Sequence, residues 1–530
     1  MAVVNVMPET LAAIIGPVGP EVAAAWATDN GTWLKDIIDA HKAWINEEGI
    51  KKYQEAYDGF LESIDSRDKA RGDDVNNKLM PNYAQMVVDT PVDYLTGKPI
   101  VWAFGVDDEA EAKKLEAVID EYRARMLKLI RTEAAQRILA EQLRQGGIAC
   151  YSAIIAWVDE KGRIDYDEFP VQEVVPVYDV RGRLQLVIRY YPYTITKVTE
   201  KGSENIEVTR VEVYDEKYIT YYVSDESGET FQLDEAEAET GNPIAHKAGR
   251  IPVSLFVNGT PARYEKRQKK NGTSDLGNGV LTLLENLAHV MSDKANTVDR
   301  LLDQYLVLTG VDTDKNEVQK MRQTRAIVLK HEKSKAEFLA QTQEDTAIEN
   351  HLTRLRDAIH DTTGIPKLND LSGATATEIK VKYAGLDIKA GKKELYFTEA
   401  IKQLLAVLTD LLNAQRLVEA GYDEEIAWQI LNGEQLPPKS VVLYSADWVS
   451  FTINRNLPQN FLEIAQIFSN LVDKVPDEWL YELLWFIDDP EAAITAMKKQ
   501  REERANLEAK TGLAALGMGG EFSTTGNDDE

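Results

Sequence analysis

A single cysteine, Cys150, six histidines and no unbroken apolar run of helix length are found in 530 residues. One thiol excludes an intramolecular disulfide framework and any zinc site built from several cysteines, and it fits a reducing compartment. The histidines, at 41, 246, 289, 331, 351 and 360, are scattered. His351 and His360 are nine apart on one predicted helix, so they do not share a face for a metal. The N-terminal run TLAAIIGPVGPEVAAAWA has no basic lead, is broken by Gly16, Pro17, Gly19 and Pro20, and is followed by Asp29 and Asn30. Neither a signal peptide nor a membrane span is expected from it.

Basic residues are scarce too: 60 Lys and Arg stand against 88 Asp and Glu, for a formal net charge of -28. A protein that grips nucleic acid neutralises phosphates with clustered Lys and Arg, and an acidic surface works against that. A protein that lets DNA pass without holding it is not excluded.

Enzyme signatures are missing as well. Gly97-Lys98 runs into Pro99 and lacks the glycine that a Walker phosphate loop places five residues before it. Gly277 and Gly279 open a predicted helix without a third glycine or a preceding strand, so no dinucleotide site is expected. There is no Gly-x-Ser-x-Gly elbow, and Cys150 beside Tyr151 has no local partner, which suits a core thiol. No cofactor, metal site or catalytic residue is assigned. A carboxylate site for a metal-dependent DNA-processing enzyme stays open as the alternative, since such a site needs only a few acids converging from different elements.

What is present is a foldable chain, 44% apolar and 28% charged, long enough for roughly three or four domains. Leu115, Ile119, Tyr122, Met126, Ile130 and Ala134 recur at threes and fours, predicting one amphipathic helix that ends at Gly146 and Gly147. Residues 148–257 then switch to runs of Val, Ile, Tyr and Thr between turn clusters. A meander of antiparallel strands is expected in YSAIIAWV, RIDYDEF, RLQLVIRYY, IEVTRVEVYD, YITYYVS and ETFQL. The stretch RYEKRQKKNG is the only dense positive run, with Arg263, Lys266, Arg267, Lys269 and Lys270 as candidate basic contacts and a solvated loop as the plain reading.

A long helix is predicted next, capped by Ser274 or Asp275, with Val280, Leu284, Leu287, Met291, Ala295, Val298, Leu302 and Tyr305 in one stripe. At 1.5 Å per residue it spans roughly 50 Å, long for a compact domain. A short excursion over 311–343, strand-like in RAIVLKH and KAEFLAQ, leads to a second helix with a Thr346/Glu349 capping box. Gly364 and Pro366 stop it. The stretch TTGIPKLNDLSGATATE is longer than a helix-helix turn needs. A helix from the Thr375/Glu378 box to about Ala420 follows, with Gly385 and Gly391 as sites of a bend. SVVLYSADWVSFTIN reads as a strand rejoining the sheet. Three helices are expected after Pro458, and the tail after 510 has too little apolar side chain to order itself.

The order of these parts resembles the portal proteins of tailed double-stranded-DNA bacteriophages, of the long non-contractile-tail type. The likeness is carried by NYAQMVVDTPVDYLTGKPI, by GRIPVSLFVN and the Ser-Asp-Leu helix with Ser292, Asp293 and Asn296, by TGIPKLND and SGATATEIKVKY, and by FTINRNLPQN with Asp488-Asp489-Pro490. The loop RYEKRQKKNG is longer and more basic than that pattern, and Thr-Ala-Thr-Glu after Gly373 departs from it.

The resemblance implies a mainly helical α+β, portal-type fold: a wing of helices plus antiparallel sheet, long stem helices, a small clip, a kinked wing helix and a helical crown. By that plan 1–29 is an N-terminal arm, 30–257 the wing, 258–273 the basic loop, 274–310 the stem helix and 311–343 the clip. Residues 344–362 are the second stem helix, 363–375 the tunnel loop, 376–457 the long kinked helix and return strand, 458–510 the crown and 511–530 a disordered tail. The tunnel loop would bring Gly364, Ile365, Pro366, Lys367, Leu368, Asn369, Asp370, Leu371, Ser372 and Gly373 to face DNA. The implied function is a non-enzymatic dodecameric ring at the head vertex of the virion, a channel for packaging and ejection of double-stranded DNA without sequence specificity. Its implied partners are terminase, major capsid and scaffolding proteins and head-completion or adaptor proteins, with no membrane and with assembly in the host cytoplasm. Another phage structural or scaffold protein is the second alternative.

Overall fold

The computed structural model describes residues 32–68, 75–159, 161–178, 183–199, 202–235, 241–259, 272–277, 279–302, 306–309, 319, 335–338, 345–367, 376–437, 441–456, 468–472, 474–476, 480, 493–500 and 503. The chain divides into two compact units. One comprises 1–372 with 381–456, and the other 373–380 with 457–530. In the second unit the described residues include helical turns at 468–471 and 493–500, with Leu480 and Ile494 buried.

The larger unit opens with helices α1 (Thr32–Glu48), α2 (Ile50–Tyr57), α3 (Glu62–Asp65) and α4 (Tyr83–Thr96), followed by strand β1 (Val101–Phe104). The single helix expected across 115–145 is two, α5 (Glu109–Ile130) and α6 (Glu133–Ala149). The apolar stripe continues across the break, but the Thr132 side chain accepts from the Ala135 amide at 3.0 Å and caps a fresh start. Gly146 and Gly147 do not end α6; both lie inside it. A β-carbon on Gly146 would sit 2.3 Å from the Phe256 ring, so glycine is there for close packing rather than termination.

The strands expected as one meander over 148–257 make two antiparallel sheets. β2 (Tyr151–Val158), β3 (Ile164–Phe169) and β10 (Val253–Val257) pair in the order β10-β2-β3. The second sheet runs β4 (Val174–Tyr178), β5 (Leu184–Thr199), β6 (Gly202–Tyr214), β7 (Tyr218–Ser224) and β8 (Phe231–Leu233), with β9 (Ile244–Ala245) also on β7. The β5–β6 hairpin runs well past its neighbours: it pairs from Val187↔Tyr214 out to Thr199↔Gly202, whereas β7 engages only Arg210 to Tyr214. Alternation decides the packing. Leu186, Ile188 and Tyr190 join Trp33, Leu34, Ile37 and Ile38 of α1 on one face, while Val187 joins Ala153, Ile155 and Val253 on the other.

His41 fastens α1 to both sheets. Its Nδ1 lies 2.9 Å from the Tyr190 hydroxyl and its Nε2 3.0 Å from that of Tyr151. Tyr151 donates its own proton to the Val174 carbonyl at 2.7 Å, so Nε2 carries the histidine hydrogen and Nδ1 accepts from Tyr190.

Beyond the sheets come α7 (Val280–Leu302), β11 (Leu306–Thr309), β12 (Lys335–Phe338), α8 (Asp345–Thr363), α9 (Ala376–Glu419), α10 (Glu424–Leu431) and β13 (Val449–Thr452). The helix expected from 274 begins at Val280, because Ser274 caps a tight turn instead, its hydroxyl accepting from the Leu276 amide at 3.1 Å. Past α7 the chain is strand, with β11 antiparallel to β12; RAIVLKH lies outside the described residues. β13 joins β1 in a separate two-stranded sheet rather than the meander, which an isolated reading of SVVLYSADWVSFTIN could not tell. Helix α9 is unbroken through Gly385 and Gly391 over about 65 Å. No described helix is long and apolar enough to cross a membrane.

Candidate functional site

Helices α7 and α8 lie antiparallel, with Leu284, Leu287 and Ala288 packed against Leu352, Leu355 and Ile359. Lys294 bridges to Glu349; α8 already begins at Asp345, so Thr346 lies inside it rather than at the cap expected of it. The Ser-Asp-x-x-Asn sequence of α7 holds a neighbouring extended segment. Ser292 Oγ accepts from the Leu79 amide at 3.0 Å, Asn296 Oδ1 from the Asn77 amide at 2.7 Å, and Asp293 pairs with Arg67. Short polar side chains on a mostly apolar helix face are thus accounted for by the backbone groups they satisfy.

The helix pair leads into a junction with α9. Gly364, with φ +70, ends α8 in the left-handed conformation, its amide donating to the His360 carbonyl at 2.7 Å. His360 Nδ1 in turn lies 2.9 Å from the Ile365 carbonyl. Across the gap sits Gly385 of α9, close enough that a β-carbon on Gly364 would meet its carbonyl oxygen at 2.9 Å. The glycine read as a site of a bend is also a point of backbone contact.

A buried ion pair stands beside it. Lys393 of α9, 7% exposed, pairs with Asp275, whose other oxygen accepts from Asn258 Nδ2 at 3.1 Å. The Asp275 amide donates to the Gly147 carbonyl at 2.7 Å, and a β-carbon on Gly147 would lie 2.7 Å from the Asp275 carboxylate. Asp275 thus ties α6, α9 and the strand end at Asn258 to the start of α7.

These groups surround a cavity of about 220 Å³. Its wall takes in Thr362 and Thr363 at the end of α8, Gly259 and Thr273 at the two ends of the basic stretch, and Lys389, Lys392 and Lys393 of α9. Lys389 donates to the Thr362 carbonyl, and burial holds its ammonium below the usual lysine range, opposed by the nearby Asp275 carboxylate. The flanks of both stretches singled out in the sequence therefore meet at one place.

The individual residues fare differently. Ile365 and Pro366 are buried, so their side chains anchor the end of α8; Lys367 pairs with Asp357. Leu368, Asn369, Asp370, Leu371, Ser372 and Gly373 lie outside the described residues, as do Arg263, Lys266, Arg267, Lys269 and Lys270. Asp275, Lys393, Gly147 and Gly385 were not singled out as site residues: each owes its role to a distant partner, and a single chain carries no mark of that pairing.

Two distant stretches also converge. The Asn456 amide donates to the Tyr94 carbonyl at 2.8 Å, and the Tyr94 hydroxyl donates to Asp387 Oδ1 at 2.9 Å. Arg455 closes the group by pairing with Asp387 and, at 2.7 Å, with Glu394. So Tyr94 of NYAQMVVDTPVDYLTGKPI and Arg455 and Asn456 of FTINRNLPQN, far apart in sequence, meet beside α9. Among the described residues no group of three or more metal-capable side chains is found.

A mainly helical α+β chain, with an antiparallel helix pair feeding one long helix over antiparallel sheets, is of the portal type. The chain belongs to the SPP1 Gp6-like phage portal protein family, which matches residues 35–507. It is similar to the portal protein of Bacillus phage SPP1, at 24% identity over 259 residues, 45% of this chain and 46% of that relative. The similarity thus spans about half the length of the curated relative. Proteins of this family are structural rather than enzymatic.

Proposed function

We propose that copies of this chain form a dodecameric ring at one vertex of the phage head, enclosing a channel through which DNA is packaged and later ejected. Family membership across 35–507 carries this reading. The helix pair α7–α8 would be the stem, residues 311–343 between them the clip, and the sheets with α1 to α6 and α9 the wing. Residues 363–375 would form the tunnel loop, entering the channel beyond the anchor at Gly364 to Pro366, with Lys367, Asn369 and Asp370 nearest the DNA. Residues 458–510 would be the crown.

The physical logic supports the assignment. Fixed negative charge opposes phosphate binding, so a wall drawn from a chain of net charge -28 lets a duplex slide without sticking. Without a phosphate loop of its own, the chain would take its driving energy from a partner, a terminase docked at the clip. Capsid, scaffolding and head-completion proteins would be the other partners, with assembly in the host cytoplasm and final residence at the virion vertex.

Negative-stain images of the purified protein test this directly. End-on rings with a central hole are the expected outcome; a population of dispersed single chains at every concentration would overturn it. Incubation with DNA and magnesium is expected to leave the DNA intact.

A further inference from the structure

The cavity between α4, the entry to α7, the end of α8 and α9 carries a charge opposite to that of the chain as a whole. In a protein of net charge -28, Lys389, Lys392 and Lys393 of α9 share its wall with a single carboxylate, Asp275. Like charges three and four apart on a helix repel one another, so a group that neutralises them is favoured there.

Each ammonium has three N–H donors, and most of these are uncommitted. Lys393 pairs with Asp275, and Lys389 donates to the Thr362 carbonyl. Lys392 is exposed and makes no hydrogen bond or ion pair among the described residues. The charges acting on Lys389 are Asp275, which attracts it, and Lys393, which repels it. Other acids nearby are engaged or set apart. Asp387 and Glu394 are both held by Arg455. Asp361 is not part of the wall, and neither is Glu399, about 10 Å beyond Lys392 along the helix. The C-terminal carbonyls of α8 add about half a negative charge, which leaves the wall positive by roughly one and a half units.

We propose that this cavity binds a small phosphate-class oxyanion, inorganic phosphate or pyrophosphate, held by Lys389 and Lys392 with Lys393 behind them. A phosphate group carries about -1.5 to -2 near pH 7, which matches the excess on the wall. The volume of about 220 Å³ is below the roughly 300–1,000 Å³ of sites for drug-sized ligands, so the ligand is the oxyanion without a nucleoside. The phosphates of a duplex come flanked by sugars and bases that such a space does not admit. Bound there, the anion ties the end of α8 to α9 beside the contact of Gly364 with Gly385. One chain supplies the whole wall, so the site does not depend on the ring reading.

Isothermal calorimetry of the purified full-length chain with pyrophosphate, in a chloride buffer, tests the site. One saturable site per chain is expected. Lys392→Gln and Lys389→Gln keep an amide donor but lose the charge, and each is expected to weaken binding by about tenfold or more. Lys402→Gln, which removes an exposed lysine of the same helix about 15 Å from Lys392, is expected to bind as the unaltered chain does. Pyrophosphate should also protect Lys389 and Lys392, but not Lys402, from acetylation read by mass spectrometry. Because Lys392 is exposed, its variant is expected to keep the circular dichroism spectrum of the unaltered chain.

No saturable binding at millimolar pyrophosphate overturns the proposal. A loss shared equally by Lys402→Gln does so too, since it marks diffuse attraction rather than a site. A short DNA duplex that displaces pyrophosphate and protects the same two lysines would assign the wall to the DNA backbone and overturn the free-anion assignment. Rings seen or not seen by microscopy bear on the ring reading alone and leave each of these results standing.

Discussion

Gly364 and Gly385 meet backbone to backbone, with room for a β-carbon on neither without a neighbour giving way. The two positions are not equivalent. Gly364 has φ +70 and would bring a side chain to 2.9 Å from a carbonyl oxygen, so Gly364→Ala is expected to cost roughly 1–3 kcal/mol. For Gly385→Ala the nearest contact is 3.3 Å, and the helix gains about 1 kcal/mol in propensity, so the net change is expected to stay small. Urea denaturation of both variants checks the order; a Gly385 variant damaged as badly as the Gly364 variant would refute it.

The pair Asp275–Lys393 should behave as a buried ion pair. Lys393→Met strands a half-buried carboxylate that has lost its cation, and a loss of about 3 kcal/mol is expected. Combining it with Asp275→Asn removes the stranded charge and should recover part of that loss. A double-mutant cycle reads the coupling, and strictly additive losses would show that the pair does not act as one unit.

Stability should fall on mild acidification because of His41. Burial pushes its imidazole down to about 3, so the folded chain keeps it neutral while the unfolded chain takes up a proton below about 6.5. Between those values the unfolded state binds more protons, and stability rises with pH at up to about 1.4 kcal/mol per unit. His246, pushed down to about 4 by burial, adds to the slope in the same window. Melting temperatures from pH 7 to pH 5 should drop, and His41→Gln, less stable at neutral pH, should show a shallower dependence.

Glu168 should act in the opposite direction. Burial, with Glu141 nearby, pushes its carboxyl up to about 8, and its Oε1 is buried without a hydrogen-bond partner. Its folded value lies above the ordinary 4.5, so holding the proton stabilises the fold, and that contribution is lost as pH climbs from about 4.5 toward 8. Glu168→Gln is expected to raise the melting temperature at pH 8 while changing it little at pH 5. A uniform shift at both would point to packing instead.

Deleting Lys367 to Leu371 is expected to leave rings intact while impairing DNA packaging. The backbone anchors on the α8 side, Gly364 with His360 and Gly364 against Gly385, lie outside the deleted stretch. Electron microscopy of the rings and a packaging assay separate the two effects. Collapse of the ring would return the stretch to the role of a connecting turn.

Much of the architecture was legible where a pattern is local. Strands β2 and β7 begin and end where alternation and turn residues place them, and the stop of α8 at Gly364 follows from glycine and proline. The break between α5 and α6 was hidden because the same stripe runs through both, and only the cap at Thr132 reveals it. Gly146, Gly147 and Gly385 look like helix breakers until Phe256, Asp275 and Gly364 stand beside them.

The clasp at the base of the basic stretch has a further consequence. The Thr273 amide donates to the Asn258 carbonyl at 2.7 Å, and Asn258 Nδ2 donates to the Thr273 carbonyl at 2.7 Å. The strand end and the entry to α7 are thereby stitched together independently of what joins them. Evolution can lengthen, recharge or exchange the intervening segment without renegotiating the core. An experimenter can use the same position as a port, inserting an epitope or a fluorophore carrier while the two ends stay where Asn258 and Thr273 hold them.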